Sequence, residues 1–373
     1  MTLIRMGERS HRVADIQARL RALGYRLDDE PGSFADDTVQ AVRAFQQSRG
    51  ILADGIVGPN TWDELVEASW RLGDRALYLR NPLMRGDDVN ALQARLNALG
   101  FDAGREDGIF GVDTDRAVRA FQREYDVAED GIFGPVSHAA LNGLRVDRPG
   151  TSASLREELR IAEHSEISSA LVVIDPGHGG ADPGDLGPTG RAESDLCWDL
   201  AQRLRHRLIE LGAHVRLTRA RWDSPDASER ARRANELGAD LFISIHLNSH
   251  DEAAAEGACT YYWRTSRAGE KLADAIQMEL VGLGTRDCRS HPRSYQLLRE
   301  TRMPAVLVEP CFITNPAEER RLDDSGYRES IAGAIASAIG RYFAGASEPK
   351  SRLVRSAWEP WAELTRFDAG TRR

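Results

Sequence analysis

Apolar positions in the first 145 residues recur at helical spacing, and the pattern occurs twice. Val13, Ile16, Leu20 and Leu23 share one face of a helix in VADIQARLRALGY, and Val89, Leu92, Leu96 and Leu99 repeat that face in VNALQARLNALGF. The offset of 76 residues from Val13 to Val89 also carries Gly32 and Phe34 onto Gly108 and Phe110. It brings TVQAVRAFQ (38–46) onto TDRAVRAFQ (114–122) and DGIVGP (54–59) onto DGIFGP (130–135) without a gap. A second helix is predicted from Thr38 or Thr114, each an N-cap or first-turn residue. The DGIxGP turn then leads to a third, short helix near Asn60 or Ser137. Each copy therefore reads as a three-helix unit with its own core. Leu20, Leu23, Val42 and Phe45 should be buried in one, and Leu96, Leu99, Val118 and Phe121 in the other.

Residues 146–170 read as a linker, with a turn-rich opening (RPGTSAS) and a mostly polar helix in SLREELRIAEHSE. From Leu171 the pattern changes to alternating strands and helices, which predicts an α/β domain with a largely parallel sheet. LVVID, AHVRLTR, ADLFISIHLN, ACTYYW and PAVLVEP read as strands. Residues 193–212 form an amphipathic helix carrying Leu196, Leu200, Leu204, Leu208 and Leu211, and further helices fall in SERARRANELG, 269–281 and 326–343. The chain is thus expected to hold five parts: modules at 1–70 and 80–145, the linker, an α/β domain at 171–345 and a tail at 346–373. That tail is expected to be disordered, as termini commonly are, with Trp358, Trp361 and Phe367 as candidate docking residues in the alternative.

The composition excludes several classes of function. A chain of 373 residues, 41% hydrophobic and 29% charged, suits two or three water-soluble domains. A net charge of −9 argues against nucleic acid or anionic membrane as the main partner. No run reaches the roughly 18 apolar residues of a membrane span. MTLIRMGERSHRVADIQ has charges where a signal peptide has its apolar core, so the expected location is cytoplasmic unless an unrecognised export route applies. Cys197, Cys259, Cys288 and Cys311 show no CxxC spacing and read as free, packed thiols.

Candidate chemistry gathers at strand ends. In IDPGHGG (174–180), three glycines around His178 let the backbone turn sharply behind the strand LVVID. His246 ends LFISIH, Glu309 ends AVLVE, and Glu193 opens the helix after the His178 loop. Ligands of open α/β sheets collect at the carboxyl ends of strands. Two histidines and a carboxylate there would suit zinc, and a second carboxylate would suit a general base. Taken singly, His178 reads as a surface loop residue, His246 as a packed strand histidine, and Glu193 as a helix-start charge. Glu309 is harder to explain away, because an ionised carboxylate closing an apolar strand is costly unless paired.

These motifs resemble known families. LQxxLxxLGF, DGxFGxxTxxAVxxFQ and DGxxGPxT, over about 6–68 and 83–144, are similar to three-helix peptidoglycan-binding domains. DPGHGG, GRAESDL, TR at 218–219, ERARRAN, FISIHLN and RETRMPAVLVEPCFITNP, over about 171–343, resemble the zinc N-acetylmuramoyl-L-alanine amidases. The resemblance implies Zn2+ held by His178, Glu193 and His246, with Glu309 as the catalytic glutamate. It also implies hydrolysis of the lactyl–L-alanine amide of peptidoglycan or muropeptides, and a cell-wall location if the chain is exported by an unrecognised route. Two positions depart from the family pattern: Ser194 stands where Lys is usual, and Cys311 where Gly is usual. The stretch between Trp263 and Tyr295 is too short for the helical plug some members carry, and holds one helix, AGEKLADAIQMEL. The alternative expectation is a cytoplasmic regulatory or binding protein on an amidase scaffold, acting on peptidoglycan precursors through a cytoplasmic protein partner.

Overall fold

The computed structural model describes residues 3–144 and 166–346. The tail aromatics and all but the end of the expected linker helix lie outside them. In the first module, α1 (His11–Ala22), α2 (Asp36–Arg49) and α3 (Pro59–Ala68) enclose Val13, Ile16, Leu20, Phe34, Val42, Phe45 and Leu65. In the second, α4 (Asp87–Ala98), α5 (Val112–Glu124) and α6 (Pro135–Asn142) enclose the equivalent set around Leu96, Phe110, Val118 and Phe121. Leu23 and Leu99, expected inside, are only half-buried, because each is a C-cap residue where its helix ends and the chain turns outward.

The repeated glutamines have a structural role that hydropathy did not reveal. Gln17 is buried and donates to the Ser33 carbonyl (2.9 Å) and the Thr38 hydroxyl (3.0 Å), while its Oε1 accepts from Gly32 N (2.8 Å). Gln93 does the same with Ile109, Thr114 and Gly108. Each glutamine satisfies a glycine turn that would otherwise bury unpaired backbone groups.

The α/β domain is built on β1 (Leu171–Pro176), β2 (His214–Leu217), β3 (Leu241–Ile245), β4 (Ala258–Trp263), β5 (Asp287–Arg293) and β6 (Ala305–Glu309). The spatial order is β2-β1-β3-β6-β4-β5. β2, β1, β3 and β6 run parallel, β4 is antiparallel to β6, and β5 is parallel to β4. The sheet is therefore mixed and mostly parallel.

One face packs on α7 (Glu193–Glu210), α9 (Arg267–Gly282) and α12 (Ser325–Ala346) through Val172, Ile174, Ile243, Val306, Val308, Leu200 and Ile276. Each fully buried aliphatic side chain contributes about 1.5–3 kcal/mol. Leu211 does not join this core: it is the C-cap of α7 and is exposed. The helix of AGEKLADAIQMEL is α9, held in the core by Leu272, Ile276 and Leu280 rather than lying over the strand ends. The opposite face packs on α8 (Ala227–Glu236) and α10 (Gln296–Glu300) through Val173, Phe242, Tyr261, Leu298 and Leu307. A further short helix, α11 (Pro316–Asp323), follows β6. All four cysteines are free thiols.

The modules dock at α10 through buried charge. Arg299 donates to Glu67 (2.7 Å) and Glu64 (3.2 Å), Arg49 joins Glu64 (2.7 Å) to Asp87 (3.0 Å), and Arg85 pairs with Glu300 (2.7 Å). Arg105 donates to the Thr301 carbonyl. Removing one partner of such a buried pair strands the other charge and costs about 3–5 kcal/mol.

Candidate metal centre

Three neighbouring parallel strands end at one edge, and each delivers a functional side chain there. Gly177 N donates to Ile245 O (2.8 Å) and His246 N to Val308 O (3.0 Å), so the exits of β1, β3 and β6 are fixed in register. Glu193, the first residue of α7, is buried beside them.

The His178 loop is held in an unusual backbone shape. His178 (φ 54°), Gly179 (φ 122°) and Gly180 (φ 56°) all lie at positive φ. For a residue with a side chain this costs about 1–3 kcal/mol and persists only when the surroundings enforce it. Two arginines do so. Arg219 donates to the carbonyls of Pro176 and Gly177 (both 2.8 Å), and Arg230 to those of Pro176 and His178 (both 2.7 Å). Arg230 is in turn fixed by Asp175 (3.0 Å), a fully buried carboxylate that also accepts from the Ser244 hydroxyl (2.8 Å) and the Thr218 hydroxyl. Gly177 is required for a different reason: a Cβ there would lie 2.5 Å from the His246 ring.

The side chains converge. One ligand atom each from His178, Glu193 and His246 lie within 4.8 Å of one another. Glu193 Oε2 is 3.0 Å from His178 Nε2, and Glu193 Oε1 is 3.0 Å from His246 Nδ1. The other ring nitrogen of His178, Nδ1, meets Asp182 Oδ2 at 2.8 Å. A carboxylate behind a histidine fixes its tautomer and ring plane, as is usual around metal ligands. Burial disfavours the charged form of His178, but the hydrogen bonds and charges of Glu193 and Asp182 together outweigh this and lift its pKa to about 9. Burial likewise raises Glu193, yet hydrogen bonds from both histidines prevail and hold its carboxyl well below the usual range. The site thus sets one ionised carboxylate against two imidazoles, a donor set that suits zinc or a similar divalent ion.

Glu309 stands outside this cluster, half-buried at the end of β6. Burial pushes its carboxyl up to about 7, against the opposing influence of His246 and a hydrogen bond from the Tyr261 hydroxyl to Oε2 (3.0 Å). The Tyr295 ring packs edge-on against Tyr261 at 5.5 Å. The four residues singled out in the sequence are therefore neighbours. The two unusual positions stay out of the cluster: Cys311 is buried in the helix-covered core, and Ser194 is half-buried on α7 with its N–H donated to Pro183 O. Sequence reasoning did not find Asp182, Tyr261 or the Asp175–Arg230 pair. Only the last left a trace, as an acid closing an apolar strand and an arginine in ERARRAN.

The chain is similar to known proteins over nearly all its length. A family model for N-acetylmuramoyl-L-alanine amidase matches residues 172–341, and one for a peptidoglycan binding domain matches 9–65 and 85–141. The N-acetylmuramoyl-L-alanine amidase CwlM of Mycobacterium tuberculosis is 42% identical over 362 residues, covering 91% of this chain and 89% of that one. The N-acetylmuramoyl-L-alanine amidase LytC of Bacillus subtilis is 33% identical over 198 residues, covering 52% of this chain and 39% of that one. Among solved structures, an N-acetylmuramoyl-L-alanine amidase from Clostridium difficile 630 aligns at 33% identity with a TM-score of 0.46, covering 47% of this chain and 97% of that one.

Proposed function

This chain belongs to the N-acetylmuramoyl-L-alanine amidase family, and from that premise we propose that His178, Glu193 and His246 hold zinc while Glu309 is the general base. The enzyme is a hydrolase acting on peptidoglycan, at the amide between the lactyl group of muramic acid and L-alanine of the stem peptide. One observation carries the assignment of roles: three donor atoms converge within 4.8 Å, with a separate carboxylate of raised pKa beside them. We assign residues 1–70 and 80–145 to wall-binding modules and 171–345 to the catalytic domain. Among the described residues, no helix is long and apolar enough to cross a membrane.

Zinc, when bound, supplies Lewis acidity toward the scissile carbonyl and toward water. The protein's own groups do the rest. Glu309 takes a proton from the attacking water as the new C–O bond forms at the lactyl carbonyl carbon. It returns that proton to the amide nitrogen as the C–N bond breaks, so L-alanine leaves as a neutral amine. A pKa near 7 suits both halves of that task, since the same carboxyl must accept and then donate. Tyr261 fixes the carboxyl's orientation through Oε2, and Asp182 fixes the His178 ring.

The test is digestion of purified wall, soluble muropeptides and soluble precursors with zinc-supplemented protein, followed by mass analysis for a new free L-alanine amine. Cleavage by wild type and its loss in Glu309→Gln support the reading. Equal inactivity of both proteins on all three substrates would refute it. A cytoplasmic regulatory or binding protein with a protein partner would then be the better account.

A further inference from the structure

Beyond Glu309, the edge of the sheet carries a cation that the hydrolysis itself does not use. Arg293, the last residue of β5, lies over the Tyr261 ring with its guanidinium carbon 5.7 Å from the centroid, and its side chain hydrogen-bonds the Tyr295 hydroxyl. Among the described residues its charge acts on the Glu309 carboxyl, but no carboxylate lies in ion-pair contact with it. The arginines that clamp the modules differ: Arg49, Arg85 and Arg299 are each matched to carboxylates. A half-buried guanidinium on an aromatic face is already partly desolvated, and so is predisposed to take an anion.

Its position is fixed from outside the catalytic domain. Ser294 N donates to Gly50 O (3.3 Å), and Gly50 caps α2 of the first module at φ 66°. A Cβ on Gly50 would lie 3.2 Å from Arg293 Cα. The module therefore presses on the backbone that presents the arginine. Tyr261 carries Arg293 over its ring face (5.7 Å) and donates its hydroxyl to Glu309 (3.0 Å), so the guanidinium and the carboxyl flank one side chain at the same sheet edge.

We propose that Arg293 binds a carboxylate of the stem peptide beyond the amide that is cut, and so selects acidic over amidated stems. The proposal rests on the amidase reading for the position of the cut bond, but binding can be measured without it. The probes are a muramoyl-tripeptide whose carboxyl groups beyond L-alanine are free, and the same compound with them converted to carboxamides. Affinities are measured by calorimetry on the full chain, for wild type, Arg293→Gln and Arg293→Lys, and hydrolysis of the same compounds is followed in parallel. Wild type should prefer the acid by about ten- to a hundredfold, the usual strength of a charge-assisted hydrogen bond. Arg293→Gln should bind both forms alike, and Arg293→Lys should keep part of the preference. Where hydrolysis is seen, the loss should appear in KM rather than kcat. If wild type binds both forms equally, or if Arg293→Gln keeps the preference, the subsite is refuted while the amidase reading stands. If the preference is present without hydrolysis, the subsite stands and the amidase reading fails. If Arg293→Gln slows hydrolysis of both forms equally with unchanged affinities, Arg293 serves only Glu309 and the proposal is wrong.

Discussion

Replacing Glu309 with Gln should make the metal-free protein more stable, and only at neutral to alkaline pH. The carboxyl rises from an ordinary 4.5 to about 7 because β6 carries it into a half-buried position where the charged form is poorly solvated. Between those two values the folded chain holds a proton that the unfolded chain has released. Stability is therefore fully present below pH 4.5, falls as pH rises, and levels off above pH 7. Holding the carboxyl at about 7 instead of 4.5 costs about 3 kcal/mol above neutral pH, at 1.36 kcal/mol per decade of proton affinity. Gln has nearly the same shape and cannot ionise, so it escapes this loss. Urea unfolding of chelator-treated wild type and Glu309→Gln should give similar midpoints at pH 5. At pH 8 the variant's midpoint should be clearly higher, while it lacks hydrolytic activity. A stability difference that is the same at both pH values, or one favouring wild type at pH 8, would refute the reasoning. Such a trade of stability for a poised carboxyl is common at active sites.

Other outcomes follow from the same geometry. His178→Ala and His246→Ala should lose metal on elemental analysis, and Asp182→Asn should bind zinc about ten- to a hundredfold more weakly in a chelator competition. Gly177→Ala should displace the His246 ring and reduce both metal content and activity, although Gly177 has no side chain of its own to offer a ligand. Arg299→Met should destabilise the full chain by about 3–5 kcal/mol in urea by stranding Glu64 and Glu67, with little effect on a chain of residues 165–345. Removing residues 1–150 should weaken sedimentation with insoluble wall but spare cleavage of soluble muropeptides, and equal sedimentation would rule out the modules as the anchor.

Much of this was legible in the sequence, because strongly periodic segments and strand ends carry their own signals. The duplicated helices, the strands around His246 and Glu309 and the four candidate site residues all lay in such segments. β5 was not legible: DCRSHPR lies at an edge with no fully buried residue, contains Pro292, and lacks an apolar alternation. The turnaround of β4 was hidden as well, since ACTYYW is buried along its whole length and looks the same in either direction. Tyr261 reaches Glu309 only through that antiparallel register, in which Tyr261 pairs with Leu307, so no local motif could announce it. Arg299 pairs with Glu64 and Glu67 more than 230 residues earlier in the chain, and in RETR it looked like one polar residue among several. Leu23 and Leu99 fit the apolar period, but their helices end before the period does.

The buried ion pairs around Arg299 bear on how such an enzyme travels. A catalytic domain on a slack leash can sweep a sphere around its foothold and cut wherever the leash allows. If the modules grip the wall as proposed, foothold and cutting edge are clamped together through Arg299, Arg49 and Arg85, so the distance between grip and cut is a property of the fold. Local substrate concentration is then set by orientation rather than by tether length. Each landing on the polymer should offer one fixed position for cleavage, and moving to the next should require letting go.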